Sequence, residues 1–425
     1  MALKKPGKAA LTLYNLAWPL ALPGLALSKR LRKGFRQRLL LDAPVGFVDL
    51  WIQAASAGEA FLAWEVLKNL ESEKGLKVLL TTGTSQGMEI LEKARADLEK
   101  QGRDLSLSLA YFPFDMPAIM EKAVERVSPK ALVLLETEIW PGLLSACRDY
   151  GVPAIVINGR MRRESLAGYL SLGGLFARIA PEKILAVSEE AAMRFGLVFG
   201  QDKVSLMPNM KFDRFQNHAE VSFTKSPLSE FLRPGSPLAV FGSIRREEEP
   251  DILTALKKVH AARPKTAIGL FPRHMHRLEF WKKALSEAAL PWVSRSSLTD
   301  PPPPGSIILW DTFGELSSAY GFAGAAFVGG SLRPLGGQNF LEPLTFGVTP
   351  IIGPYWNNFA WIGREILDLG LVHEVRDADQ LADRMVKNLN RQKPREKVRE
   401  QAMAFINERR GGTRQACELI AGYIK

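Results

Sequence analysis

FVDLWIQAASAGEAFLAWEVLKNL, residues 47–70, decides the fold. Residues 47–54 form an apolar run of strand length, 55–58 are small, and Glu59–Leu70 has the apolar spacing of a helix. A buried strand, a tight turn and a helix in that order make the first half of a parallel crossover unit. The same alternation continues through LKVLLTT (76–82), LSLAYF (107–112), KALVLLE (130–136), VPAIVIN (152–158) and KILAV (183–187). Helical patterns at Gln86–Leu98, Met116–Arg126 and Pro141–Tyr150 lie between them. The pattern fades from Arg214 to Pro237 and resumes with LAVFG (238–242), TAIGLF (266–271), SIILW (306–310), AAFVGG (325–330), VTPIIG (348–353) and LVHEV (371–375). The expectation is an α/β protein of two doubly wound parallel domains, residues 42–214 and 236–425, joined by a linker at about 215–235. In such sheets ligands sit at the carboxyl ends of strands, so the cleft between the domains is the expected site.

The net charge of +11 suggests a polyanion partner until it is mapped. Residues 1–41 hold nine basic residues and no acid, leaving 47 basic against 45 acidic in the remainder. The body is nearly neutral, which argues against a nucleic-acid partner. Cys147 and Cys417 are the only cysteines among 425 residues, which excludes a disulfide framework and points to a reducing cytosol. Five histidines without HxxxH or HExxH spacing give no metal site.

Ala9–Ser28 is a stretch of 20 residues without a charge, followed by Lys29, Arg30, Arg32, Lys33, Arg36 and Arg38. Twenty helical residues span ~30 Å, about one hydrocarbon thickness, although Asn15, Pro19 and Pro23 weaken a straight helix. The basic flank would stay cytoplasmic and attract anionic lipid. Residues 1–41 therefore read as an anchor in or on the inner face of a membrane; the competing reading is a buried first helix.

Loops after strands carry the candidate chemistry. Glu59 closes the small-residue turn and reads either as a helix-start acid or as a general base. Gly83-Thr84-Ser85-Gln86-Gly87 matches the nucleophile-elbow pattern, but the chain offers no suitable His or oxyanion loop, so Ser85 reads as a helix N-cap. Glu136 and Glu138 end an apolar strand, and alternation would point them to opposite sides. Lys211 lies at the interdomain border. In the second half, Arg273 follows a strand, and Gly329-Gly330-Ser331 and Gly336-Gly337 flank a helix start carrying Glu342. Backbone N–H groups there would make an anion site, Arg273 would bind a phosphate, and Glu342 would accept ribose hydroxyls, which together suggest a nucleotide. Asp377-Ala378-Asp379 reads as helix capping and not as a metal motif.

ASAGE (55–59), YFPFDMP (111–117), ETEIWP (136–141), NGRMRRESLAGY (158–169), NMKFD (209–213), FPRH (271–274), DTFGEL (311–316), FVGGSLRPLGGQNFLEP (327–343) and IIGPYWNNF (351–359) occur in the order found in one family. The chain resembles the 3-deoxy-D-manno-octulosonic acid (Kdo) transferases of lipopolysaccharide biosynthesis. The resemblance implies a GT-B fold of two Rossmann-like domains facing across a cleft. It implies transfer of Kdo from CMP-Kdo to the lipid A precursor, inverting and metal-independent, without a cofactor, at the cytoplasmic face of the inner membrane. By the same resemblance Glu59 is the proton acceptor, and Glu136 and Lys211 stabilise the transition state. Pro272, Arg273, Phe313, Gly314, Glu315, Asn339, Phe340, Leu341 and Glu342 would bind the CMP of the donor. Gln53 and Gln338 stand where histidines are expected, which removes any titration there. A transferase for another sugar nucleotide and a silent membrane-bound scaffold are the competing functions.

Overall fold

The computed structural model describes residues 6–42, 46–71, 75–215, 226–232, 238–391 and 394–424. Most of the expected linker lies outside the described residues, as do Lys4 and Lys5 of the basic N-terminal cluster.

The chain forms two compact units, Met1–Arg214 with Arg409–Lys425, and Phe215–Glu408. The first contains β1 (Leu50–Ala54), β2 (Leu76–Thr82), β3 (Leu105–Tyr111), β4 (Ala131–Leu135), β5 (Ala154–Gly159), β6 (Lys183–Ala186) and β7 (Val204–Leu206). All pairings are parallel, in the order β3-β2-β1-β4-β5-β6-β7. β1, β4 and β5 are buried along their whole length, which explains their unbroken apolar runs. The order reverses between β1 and β4, so the loops after those two strands diverge at a natural binding crevice.

The second unit repeats the plan with β8 (Leu238–Ile244), β9 (Ile268–Pro272), β10 (Trp292–Ser294), β11 (Ile307–Leu309), β12 (Ala323–Val328), β13 (Pro350–Ile352) and β14 (His373–Glu374). Its order is β10-β11-β9-β8-β12-β13-β14, again all parallel, with the reversal between β8 and β12. The sequence reading omits β7 and β10. Each is a three-residue edge strand, only partly buried, and so lacks the apolar run that marks the central strands.

The second domain, expected to run to 425, stops short of it. Helix Gly412–Ile424 turns back to the first unit, where Ala416, Cys417, Ile420 and Ile424 join the core that also holds β1 and β4. Asp213 anchors the return by accepting from Gly411 N (2.8 Å) and Thr413 N (2.6 Å). Gly412 lies so close to Pro208 O that a Cβ would sit 2.1 Å from it, so only glycine fits.

The N-terminal apolar stretch forms a 22-residue helix, Pro6–Leu27, with Pro19 and Pro23 inside it. Among the described residues no helix is long and apolar enough to cross a membrane. One face of Pro6–Leu27 is docked on the first unit: the Tyr14 hydroxyl donates to Asp115 Oδ2 (2.9 Å), and Trp18 packs on Phe114. Asp115 also accepts from Gly142 N and Leu143 N, so one buried carboxylate ties this helix to the start of helix Pro141–Asp149. The basic flank is not uniformly available to lipid. Arg38 is buried, donating to Phe112 O and Gly83 O, and Arg36 pairs with Asp42.

Candidate functional site

In the first unit Glu59 stands three residues into helix Ala57–Asn69, in a reciprocal cap with Ser56. Its carboxylate accepts from Ser56 N (2.7 Å), while Glu59 N donates to Ser56 Oγ. This cap binds the carboxylate, yet the side chain is buried. Burial, then the negative charges of Glu138 and Glu136, raise its pKa to about 8. A helix N-terminus alone would keep the carboxylate ionised; here desolvation outweighs it.

Alternation along a strand predicts that Glu136 and Glu138 diverge, but both act on Glu59. β4 ends at Leu135, and Glu136 adopts φ +55°, a left-handed conformation costly for a side-chain-bearing residue. That kink breaks the alternation. Glu136 meets Lys211 Nζ at 2.6 Å and lies 3.5 Å from Arg160 Nη1 and 3.4 Å from Asn158 Nδ2. Lys211 is placed by its 3-10 turn, Met210–Arg214, which is held by Met210 N donating to Asn158 Oδ1. Thus the structure brings Glu59, Glu136 and Lys211 into one locus at the ends of β1, β4 and β5.

Asn158 and Arg160 are missed as site residues by sequence reasoning, although the N-G-R string at the end of β5 is a usable signal, and Glu138 and Gln53 are singled out there without a role. Gln53 is fully buried; its Oε1 accepts from Thr81 Oγ1 (2.6 Å), which in turn accepts from Trp51 Nε1 (2.8 Å). Gln53 Nε2 lies 3.4 Å from Glu138, whose carboxylate also accepts from Trp140 Nε1 at 2.7 Å. Gln53 thus uses both ends of its amide in positioning. Thr84, rather than Ser85, caps helix Ser85–Lys100, accepting from Gly87 N.

In the second unit Arg273 follows β9 with an exposed side chain and its backbone N–H on Ile244 O. Phe313 is exposed, and Gly314 has φ +86°. Glu315 is committed internally, accepting from both Arg295 nitrogens (3.0 Å each), Trp310 Nε1 and Thr312 Oγ1. It shapes the 311–315 turn and has little capacity left for a ligand. Glu342 is partly buried and, among the described residues, its carboxylate has no hydrogen-bond partner. It remains free to receive hydroxyls.

Two expectations for the glycine loops change. The N–H groups of Gly330, Ser331 and Leu332 do not await an external anion: buried Glu248 accepts all three, at 2.6, 2.9 and 2.8 Å. Burial raises the Glu248 pKa, and those amides oppose the rise. The helix after Asn339 spans only Leu341–Thr345, too short for a substantial dipole. Asp377 caps its helix by accepting from Gln380 N, as expected.

Residues 27–214 match the family described as 3-deoxy-D-manno-octulosonic-acid transferase (kdotransferase). The 3-deoxy-D-manno-octulosonic acid transferase of Bordetella pertussis is 30% identical over 399 residues, covering 92% of this chain and 90% of that protein. The chain belongs to the Kdo transferase family. A second Kdo transferase, from Haemophilus influenzae, is 27% identical over 93% of this chain and 91% of its own. This Kdo transferase also shares its fold with a Rickettsia africae glycosyltransferase, at TM-score 0.58 and 12% identity over 89% and 99% of the two chains. It is a glycosyltransferase, and the sugar it moves is Kdo.

Proposed function

We propose that this enzyme transfers Kdo from CMP-Kdo to the lipid A precursor, with inversion and without a metal ion. The observation that carries the reading is Glu59, a buried carboxylate at the strand-order reversal whose raised pKa of about 8 suits a base near neutral pH. Glu59 removes the proton of the acceptor hydroxyl as its oxygen attacks the anomeric carbon. The bond to phosphate breaks on the other face, and CMP leaves with the bonding electrons. Arg273 meets the phosphate charge and Glu342 the ribose hydroxyls. The Glu136–Lys211 pair supplies fixed charges toward the oxocarbenium-like centre and the donor carboxylate. Pro272, Phe313, Gly314, Asn339, Phe340 and Leu341 shape the CMP-binding turns.

Mass spectrometry of the product from lipid A precursor and CMP-Kdo, with EDTA present, tests this directly. The expected product is heavier by whole Kdo residues, and their number is counted at once. Turnover with a UDP-sugar alone would assign a different donor, and no turnover with any donor would leave a binding scaffold.

The membrane association proposed here is peripheral. The outward side of helix Pro6–Leu27 exposes Leu16 (62%), Leu20 (85%) and Leu27 (86%), and Leu170 and Leu172 are exposed beside helix Gly173–Arg178, which packs on it. Exposed leucines flanked by Arg32 and Lys33 suit the interfacial zone of an anionic leaflet, which supports a helix lying on the cytoplasmic face of the inner membrane. Leu16→Glu/Leu20→Glu is expected to lower co-sedimentation with anionic vesicles at least ~10-fold without a change in melting temperature, since ~2–3 kcal/mol of apolar insertion per leucine is removed. Unchanged sedimentation would exclude this face.

A further inference from the structure

On the edge of the second sheet opposite the donor segments lies a cavity of about 190 Å³. Its walls come from the amino ends of the strands: Ala323 at the start of β12, Thr349 just before β13, and His373 at the start of β14. The donor motifs follow the carboxyl ends of β9, β11 and β12. Six residues of β12 at ~3.3 Å each separate the two edges by about 20 Å. This is a second location and not an extension of the first.

The cavity is cationic. Arg384, Lys387 and Arg391 line it from successive turns of helix Ala378–Asn390 and its C-terminal cap, and Arg395 enters from helix Arg395–Asn407. No carboxylate lines it among the described residues, and among those residues Arg384, Lys387 and Arg391 have no ion pair. The Arg395 guanidinium is largely desolvated and, among the described residues, donates to carbonyls, those of Gly321 (2.5 Å) and Ala323 (2.6 Å), and meets no carboxylate. Burial and the like charge of Arg399 lower its pKa. A partly buried cation that meets no carboxylate among the described residues is an expensive arrangement for a merely structural side chain. Thr349 Oγ1 on the same wall is buried and has no hydrogen-bond partner.

We propose that this pocket is an anion site for a phosphate-bearing small molecule, held by Arg384, Lys387, Arg391 and Arg395 with Thr349 donating its hydroxyl. Guanidinium forks converging from two helices match the paired oxygens of a phosphoryl group, and several cations match a doubly charged anion better than a single carboxylate. The volume lies below the ~300–1,000 Å³ of pockets for drug-sized ligands, which favours phosphate, diphosphate or a phosphomonoester headgroup over a whole nucleotide.

The test is calorimetric titration of the full chain, with CMP at saturation to occupy the donor site. The probes are diphosphate, inorganic phosphate, and dihexanoyl phosphatidate below its micellar concentration. One saturable site is expected for at least one probe. Lys387→Glu/Arg391→Glu, on solvent-facing positions of the rim, should weaken it at least tenfold while CMP affinity and melting temperature stay unchanged. Arg273→Ala should leave it intact. Tighter binding of diphosphate identifies a soluble ligand, and tighter binding of phosphatidate a lipid headgroup. Absence of saturation with all three probes, or equal binding by the charge-reversed variant, overturns the proposal.

Discussion

Glu59→Gln is expected to transfer Kdo roughly 10²–10⁴-fold more slowly than the parent while keeping CMP affinity. Gln retains the size of the side chain and an oxygen that can accept from Ser56 N, so the helix cap survives. What disappears is the basic electron pair. The pH dependence separates this role from a structural one. In the parent, the rate should climb through about pH 8 as Glu59 ionises. Glu138→Gln, by removing the like charge that ranks next after burial in raising that pKa, should move the midpoint down. The groups acting from neighbouring elements, Glu136, Lys211 and Arg160, are unchanged in that variant.

Stability gives an independent sign. The folded state holds the Glu59 proton to about pH 8, against an ordinary value of 4.5, so the stabilisation it contributes is complete below 4.5 and is lost as pH rises through 8. Glu59→Gln should therefore melt no lower than the parent at pH 9. Initial rates from pH 6 to 9.5 and melting curves at both ends check the pair of expectations. A near-parental rate would reduce Glu59 to a helix-start acid and pass the base role to Glu136.

Arg273→Ala is the second large effect, expected to cost ~2–4 kcal/mol of transition-state stabilisation, or roughly 30–1,000-fold in kcat/KM for CMP-Kdo. Glu248 occupies the amides of 330–332, and the helix after Asn339 has five residues, so two alternative sources of positive potential are weak or taken. Because the Arg273 side chain is exposed, truncation should not disturb folding. Steady-state kinetics with varied CMP-Kdo, together with CMP calorimetry, provide the measurement; unchanged values for both would remove Arg273 from the donor site.

The buried parallel strands were legible because burial on both faces demands continuous apolar runs, as in LKVLLTT and KALVLLE. Glu59 was legible because it follows such a strand through a small-residue turn. Its raised pKa was not, because its cause is burial first and then the like charges of Glu138 and Glu136, and only the tertiary fold supplies these. Their joint approach depends on one backbone angle at Glu136, and no periodicity encodes a left-handed residue at a strand end. The glycine loop misled for a related reason. Its amides are indeed an anion nest, but the anion is Glu248, some eighty residues earlier in sequence. The N-terminal helix was legible as an apolar stretch, whereas Tyr14 binding Asp115, and hence its docking on the first unit, needed the long-range partner.

The return of Gly412–Ile424 makes the first unit discontinuous, and this bears on how the chain is born. During synthesis the strands of that unit precede Phe215–Glu408, but the apolar surface that Ala416, Cys417, Ile420 and Ile424 cover stays open until residues 412–424 have been made. Phe215–Glu408 can condense while its host is still unfinished. An expression clone ended at residue 214 would therefore leave a permanent hydrophobic groove, and chaperone dependence or inclusion bodies are its expected fate.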